Sequence, residues 1–503
     1  MKLSSWQSVS LPMTRVVLSM ASSLRLLAQF ADRTSRSDAC RRFAPRAALV
    51  AAVSWFFIWT ASRTVSIHDA FGTSAYDIGI FDQATWLLSR FEVPFVTLNG
   101  MNSLRDHFQP VLFLFAPLYW VIPGASTLLV VQAGLVASGA VVVYFFARSR
   151  LQNEWFAFAF SAAWLLNPAV SRFSFENFHP DAMYGLSVPL ALYGAVERKW
   201  RVFAIGIFLT LLVKEDAMVI VVPIGLWVAW RSDRMKGSLT VVASVAMTAI
   251  GFYVVQRERL GDRIPFGGPW GFVKQTFTKP GDVSKYLIGD NRPFYIWQML
   301  APFGFVLIGA PDLVMISAFV LAANIVSNFW YQFNIEFHYS LIAVPALMFA
   351  AVASTAKARV DQRKWLVGIV CACTLWTSVL WSPYSFAQRP IPRAIVSDPR
   401  NIAARDIMGR VPDDAVVTVY HVLSTHMSNR REVYFFPNPF RVFYYGPDPA
   451  LNDTRRPEAD SIEYVILPVL KEAVVEEDWR RVEAEFQLIE TNAYWQLFKR
   501  TDS

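Results

Sequence analysis

Long hydrophobic runs constrain the fold of this chain more than any other feature. Of its 503 residues, 54% are hydrophobic and 17% are charged, whereas about a quarter of the residues of a soluble protein are charged. The apolar residues collect in runs that can cross, or nearly cross, a hydrocarbon layer roughly 30 Å thick. About eleven runs stand out, at residues 46–65, 125–147, 155–170, 182–196, 202–213, 217–230, 239–255, 294–310, 313–330, 339–354 and 365–381. They predict a polytopic α-helical membrane protein whose shorter spans are completed by neighbouring helices.

The positions of Lys and Arg predict the orientation of these spans. The tail before the first run carries Lys2, Arg15, Arg25, Arg33, Arg36, Arg41 and Arg42. The turns on the same predicted side are also basic, at residues 148–150, 198–201, 231–236 and 357–364. We therefore predict a multi-pass plasma-membrane protein with a cytoplasmic N-terminus and an extracytoplasmic C-terminal domain. These loops also account for the net charge of +8, and no basic stripe interleaved with aromatic residues indicates a nucleic-acid partner.

Three regions follow from the composition. Residues 1–45 form a basic cytoplasmic tail, and residues 46–381 form a transmembrane body with long outer loops at 66–109 and 256–293. An apolar segment at 111–124, interrupted by Pro117 and Pro123, predicts a helix lying at the membrane interface. The aromatic content of the loop at 256–293 predicts an ordered lid. Residues 382–503 predict a small extracytoplasmic α/β domain, with helices at 401–408 and 476–485 and strands at 415–420, 432–436, 464–469, 486–490 and 493–499.

Acids and histidines gather in the turns on the outer side of the predicted membrane body. The motifs are YDIGIFDQ (76–83), RDHFQP (105–110), FENFHPD (175–181), KED (214–216) and EFH (336–338). Ionisable groups next to apolar spans are costly to bury, so their convergence at one face indicates a working site. The candidates for substrate or phosphate binding are Arg105, Asp106, His107, Glu176, His179, Asp181, Lys214, Glu215, Asp216 and His338.

The two acids of the first motif, Asp77 and Asp82, are the catalytic candidates. On a helix they would lie about 140° apart, so only one of them can face a given substrate. A carboxylate here could take a proton from an attacking hydroxyl if it lies within hydrogen-bonding reach. The alternative is structural, namely a helix cap or an ion pair with Arg105. The sequence alone favours catalysis for Asp77 and the structural role for Asp82.

The histidines allow three interpretations. With the nearby carboxylates, His107, His179 and His338 could ligate a divalent metal ion, which would be the only cofactor. The same side chains could hold a phosphate through hydrogen bonds. They could also brace loops, and His-Pro-Asp at 179–181 is a plausible helix start. For the KED motif, the alternatives are a watery functional cavity and a simple turn of the chain between two spans.

These motifs, together with APLY and SNRREVYFFPNP (428–439), resemble the domain-of-unknown-function 2079 family of predicted bacterial membrane proteins. That family is similar to the GT-C superfamily of membrane glycosyltransferases. The resemblance implies a polyprenyl-phosphate-linked sugar as donor, a lipid or glycan as acceptor, and a catalytic acid in the first outer loop. Asp77 matches that acid, while His107, His179 and Lys214 would steady the departing phosphate. Many superfamily members carry adjacent acids in this loop, whereas Ile78 follows Asp77 here.

Two other functions stay open at this stage. A carrier or flippase for a lipid-linked substrate would need charges near mid-membrane and internal repeats, neither of which the sequence contains. A metal-dependent hydrolase or phosphotransferase would be built on His107, His179 and His338. The glycosyltransferase interpretation accounts for more of the motifs than either of these.

Overall fold

The computed structural model describes residues 38–255 and 263–501, with side chains from residue 43 onward. The predicted tail before residue 38 and the start of the predicted lid, at 256–262, lie outside the described residues. The α-helices are Asp38–Asp69, Ile80–Ser89, Ser103–Asp106, Leu112–Phe115, Ala125–Leu151, Glu154–Leu166, Pro168–Phe173, Tyr184–Val196, Trp200–Leu211, Met218–Arg231, Arg234–Val254, Pro269–Thr278, Pro280–Ile288, Arg292–Leu300, Pro311–Val326, Val344–Lys357, Val360–Trp381, Pro399–Met408, His421–Ser424 and Ala473–Arg480. The fold is thus mostly helical, as predicted.

Within the described residues, five helical segments are long and apolar enough to cross a membrane. They are Phe43–Asp69, Ala125–Leu151, Arg234–Val254, His338–Lys357 and Val360–Trp381. Four shorter apolar helices accompany them, at Glu154–Leu166, Trp200–Leu211, Met218–Arg231 and Pro311–Val326. Most predicted runs coincide with one helix or with two consecutive helical segments, and the run at 294–310 is the exception because it divides into three, Arg292–Leu300, Ala301–Phe303 and Val306–Gly309. The exception is broken because Gly304 and Phe305 adopt positive φ angles of 54° and 60°, which an α-helix cannot contain.

Small residues bring the helices of the bundle close together. A Cβ atom on Gly206 would lie 2.4 Å from the backbone nitrogen of Ala191, and one on Gly139 would lie 2.3 Å from the carbonyl oxygen of Gly185. Close backbone approach at small residues is a common way for membrane helices to pack. It explains how helices as short as Trp200–Leu211 are held within the bundle.

The segment predicted to lie at the membrane interface is helical, first as Leu112–Phe115 and then as the 3-10 helix Ala116–Trp120. Its two faces differ: Leu112, Phe115 and Tyr119 are buried, whereas Phe113, Leu114, Leu118, Trp120, Val121 and Ile122 are exposed. The described part of the predicted lid is ordered as the helices Pro269–Thr278 and Pro280–Ile288.

The C-terminal region contains a five-stranded mixed sheet. After a short hairpin of β1 (Phe95–Val96) and β2 (Met101–Asn102) in the first loop, the strands are β3 (Val417–Val419), β4 (Val433–Phe435), β5 (Tyr464–Pro468), β6 (Phe486–Thr491) and β7 (Trp495–Arg500). Their order is β4-β3-β5-β7-β6. Strand β3 pairs in parallel with β4 and β5, and β7 pairs antiparallel with β5 and β6. Each strand lies where the alternation of residues predicted it.

The sheet packs directly against the first loop, and one hydrophobic core runs through both. Gln83 donates hydrogen bonds to Thr97 and to the carbonyl oxygen of Arg430, and Thr97 exchanges two hydrogen bonds with the backbone of Val433. We call this contact, between residues 82–97 and residues 428–433, the seam. It fixes the C-terminal domain above the polar end of the bundle.

Candidate active site

A cavity of about 940 Å³ opens at the end of the bundle that carries the acidic motifs. It lies between the helices, the first loop and the C-terminal domain. Most of the predicted site residues line it, namely Asp77, Asp106, His107, Glu176, His179, Asp181, Lys214 and His338. Motifs that are far apart in the sequence therefore converge on one space, as the distribution of charges predicted.

Asp77 presents its carboxylate to the cavity. It lies on a π-helical turn, Ala75–Gly79, whose start is capped by the hydroxyl of Ser74. The carboxylate is 39% exposed and accepts a hydrogen bond of 3.0 Å from the side-chain amide of Asn177. One of its oxygens lies 3.8 Å from Nε2 of His179. Asp77 is thus held in place yet open to a molecule in the cavity.

Asp82, the second catalytic candidate, does not line the cavity, which corrects that prediction. It is fully buried in the seam. Its carboxylate accepts hydrogen bonds from the hydroxyl of Tyr119, from the hydroxyl of Ser428 at 2.5 Å and from the side-chain amide of Asn429. Burial raises the pKa of Asp82 to about 6, although these three donors oppose the shift. The geometry matches the structural role that the sequence favoured for this residue.

Arg105 and Asp106 also differ in whether they line the cavity. Arg105 is exposed to solvent and does not line the cavity, so the structure places it apart from the other candidates. Asp106 is buried in the cavity wall, where it accepts a hydrogen bond of 3.0 Å from the side-chain amide of Asn99.

The KED motif forms the break between the helices Trp200–Leu211 and Met218–Arg231. Glu215 lies 2.8 Å from Nδ1 of His107 and accepts a hydrogen bond of 2.9 Å from the backbone of Phe108. Burial would raise the pKa of Glu215, but His107 and Lys214 together lower it to about 2. Asp216 and Glu215 line a smaller cavity of about 160 Å³ that adjoins the first at Asp106 and His107.

Lys214 is a buried cation at the wall of the main cavity. Its side chain is 4% exposed, and its ammonium lies 5.5 Å from the centre of the Tyr339 ring. Burial alone would lower its pKa, but the negative charges of Asp181 and Asp216 raise it. The ammonium therefore stays charged, and it makes no hydrogen bond to any residue in the described parts of the chain.

FENFHPD and EFH meet at the cavity floor. The rings of His179 and His338 stack with their centres 4.1 Å apart, and Oε1 of Glu176 lies 3.0 Å from Nδ1 of His338. Burial, opposed by His179 and reinforced by Asp77 and Asp181, raises the pKa of Glu176 to about 8. The predicted helix start is also present, since Pro180 opens the 3-10 helix Pro180–Met183.

Several cavity residues were not singled out from the sequence. Asn177, which binds Asp77, lies inside a recognised motif, but an amide between two aromatic residues gives no separate indication of its partner. Tyr339 directly follows EFH. Arg263 also lines the cavity and comes from the long loop, where only the fold could place it.

Sequence comparisons identify the family of this chain. A sequence model described as "Predicted membrane protein (DUF2079)" matches residues 67–502. The chain belongs to this family. No curated protein matches the DUF2079 chain by sequence.

Solved structures extend the comparison to the fold. ArnT from Cupriavidus metallidurans in the apo state aligns with a TM-score of 0.51 and 12% identity, covering 89% of this chain and 98% of that one. The same protein bound to undecaprenyl phosphate gives a TM-score of 0.50 and 12% identity, with 88% and 97% covered. This DUF2079 chain therefore shares its fold with ArnT.

Proposed function

We propose that this protein transfers a sugar from a polyprenyl-phosphate-linked donor to a hydroxyl of a lipid or glycan acceptor. The observation that carries the proposal is the single cavity in which an exposed carboxylate, Asp77, and a buried ammonium, Lys214, occur together. The ArnT fold adds support, because ArnT has been crystallised with undecaprenyl phosphate. The reaction needs a base for the acceptor and a positive site for the leaving phosphate, and the cavity offers both.

Asp77 is proposed as the general base. The acceptor hydroxyl would give its proton to the Asp77 carboxylate while its oxygen attacks the anomeric carbon of the sugar. The bond between that carbon and the phosphate oxygen would break, and the polyprenyl phosphate would leave with the bonding electrons. The hydrogen bond from Asn177 orients the carboxylate without burying it. Such a positioned base typically contributes about 10²–10⁴-fold to the rate.

Lys214 is proposed to hold the leaving phosphate. The side chain of Lys214 is buried but lines the cavity, so a phosphate there could accept hydrogen bonds from its ammonium. His107 lines the same cavity, and the contact of its Nδ1 with Glu215 holds the ring beside the proposed phosphate site. Charge-assisted hydrogen bonds to phosphate are about twice as strong as neutral ones.

The smaller cavity is proposed as the place where the isoprenoid chain approaches the phosphate. It joins the main cavity at His107, and its wall includes the apolar side chains Val219, Phe252 and Val326 from three helices of the bundle. A lipid tail at this position would leave its phosphate near Lys214 and its chain between the helices.

The cavity is proposed to face the outside of the plasma membrane. The opposite end of the bundle carries the basic side chains Arg46, Arg148, Arg150, Arg231 and Lys236, many of them paired with local acids. Basic ends face the cytoplasm in most membrane proteins. This orientation would place the C-terminal sheet outside the cell.

A panel of labelled polyprenyl-phosphate sugars tests the proposal directly. Membranes containing the wild type should transfer label from one donor, and membranes containing Asp77→Asn should not. Asparagine keeps an acceptor oxygen for Asn177 but cannot take a proton, so the change removes the base with little disturbance of the fold. Transfer by the Asn variant at the wild-type rate would exclude Asp77 as the base. Absence of transfer from every donor, with folded protein, would refute the reaction itself.

A further inference from the structure

We propose that Glu176, His179 and His338 form a binding site for a divalent transition metal ion of the zinc class. Each of the three residues offers one ligand atom, and these atoms all lie within 4.8 Å of one another. The inference concerns metal binding alone, so it stands or falls separately from sugar transfer.

Within the described residues, the hydrogen bonds of the His179 ring involve Nδ1 and not Nε2. Nδ1 lies 2.8 Å from the carbonyl oxygen of Asn177, and because a carbonyl can only accept, Nδ1 carries the proton. In the neutral ring, Nε2 then carries a lone pair. Nε2 lies 3.8 Å from Oδ1 of Asp77 and 3.9 Å from Oε1 of Glu176. A cation placed between these three atoms would bind the lone pair and both carboxylate oxygens. A histidine that binds a metal ion usually donates a hydrogen bond from its other ring nitrogen, often to a backbone carbonyl.

The carboxylates at the floor of the cavity have unused oxygens. Oε2 of Glu176 and Oδ2 of Asp181 are buried and have no hydrogen-bond partner in the described chain. Asp181 is 5% exposed, and its charge interacts with His338, Lys214 and His179. A buried carboxylate oxygen without a partner is costly. A divalent ion at this point would supply a partner for both unused oxygens.

The three ligands come from elements that the fold holds firmly. Gln132 fixes the FENFHPD loop twice, since it accepts a hydrogen bond from the backbone of His179 and donates one to the carbonyl oxygen of Glu176. His338 begins a buried helical segment, and its ring stacks on His179. Rigid ligands are expected of a metal site, because a loose set would lose affinity.

The donor set selects the class of metal. Two imidazole nitrogens with one carboxylate suit zinc and its neighbours in the transition series, whereas magnesium and calcium prefer oxygen ligands. Imidazole nitrogens bind zinc at about 2.0–2.1 Å, so the ligand atoms would draw inward on binding. The ion would join the FENFHPD loop to the His338 helix beside Asp77.

Metal analysis of the purified full chain tests the site. After chelator treatment, the wild type should bind about one equivalent of Zn²⁺, and its unfolding temperature should rise on binding. His179→Ala and Glu176→Gln should each lose stoichiometric binding. His421→Ala is the matched control, because His421 is exposed in the C-terminal domain, away from the cavity; it should bind as the wild type does.

Either of two results would overturn the proposal. If the wild type binds no Zn²⁺ and its unfolding temperature is unchanged by the ion, the three side chains only brace the floor of the cavity. If both ligand variants retain full binding, the ion lies elsewhere. The wild-type measurement decides the matter even if a variant fails to fold, and neither measurement requires a sugar donor.

Discussion

Asp77 and Asp82 lie in one motif but in two different regions of the molecule. Asp77 faces the cavity, 39% exposed and with one side-chain donor, whereas Asp82 is sealed in the seam by three donors. Asp77 lies on the π-helical turn Ala75–Gly79, and Asp82 lies on the α-helix Ile80–Ser89 that follows it. The comparison teaches that one acidic motif can supply both a carboxylate that lines a cavity and one that docks two domains. Exposure and hydrogen-bond partners, rather than residue type, distinguish the two roles.

The largest expected effect separates the two carboxylates by activity. Asp77→Asn should lower the transfer rate by about 10²–10⁴-fold, because it removes the proposed base. Asp82→Asn should keep most of the rate, since this side chain does not line the cavity. Initial rates with the active donor, at matched amounts of folded protein, check the contrast. Equal losses in both variants would break the distinction between cavity and seam.

A smaller effect is expected for binding of the lipid phosphate in the cavity. Lys214→Gln should weaken binding of undecaprenyl phosphate about 10–100-fold, which corresponds to the loss of one charged hydrogen bond. Lys357→Gln is the control, because Lys357 donates to the carbonyl oxygen of Gly309 at the opposite end of the bundle. Titration of each purified variant with the lipid measures both. Unchanged affinity in the Lys214 variant would remove this residue from the phosphate site.

The seam should respond to pH through Asp82. Its pKa in the folded protein, about 6, exceeds the value of about 3.9 in an unfolded chain, so the folded state binds the proton more tightly. This contribution to stability is fully present below about pH 4 and is lost as the pH rises through about 6. Unfolding temperatures from pH 4 to 7 should show the decline in the wild type. Asp82→Asn cannot ionise and should flatten this part of the curve; the same slope in both proteins would exclude Asp82 as its source.

The smallest effect is expected at the rim of the seam. Arg431 and Glu92 form an ion pair of 2.8 Å, but Arg431 is 75% exposed. Exposed pairs contribute about 0–1 kcal/mol, so Glu92→Gln should leave the free energy of unfolding nearly unchanged. Denaturant unfolding of this variant beside Asp82→Asn compares rim and centre. A loss at Glu92 as large as that at Asp82 would show that the rim holds the domains together.

Much of the fold could be predicted because its signals are local. Apolar runs and strand alternation located the long helices of the bundle and all five strands of the C-terminal sheet, but not the loop helices Ile80–Ser89, Pro269–Thr278 and Pro280–Ile288. The break within the predicted run at 294–310 could not be foreseen, because composition does not reveal the positive φ angles at Gly304 and Phe305. The convergence of the motifs was also predictable, since membrane topology places alternate turns on one side.

The partners of each side chain could not be predicted, because they depend on contacts distant in sequence. Nothing near Asp82 indicates that Ser428 and Asn429 will enclose it. His107, His179 and His338 were grouped as metal candidates by residue type. The fold separates them: His107 pairs with Glu215, while Glu176 joins the other two histidines.

A structure of the full chain with undecaprenyl phosphate would test the central claim most directly. The account predicts the lipid phosphate within hydrogen-bonding distance of Nζ of Lys214, inside the cavity that Asp77 faces, with the isoprenoid chain leaving past Val219 and Phe252. A phosphate bound outside this cavity, with Lys214 and Asp77 untouched, would contradict the account.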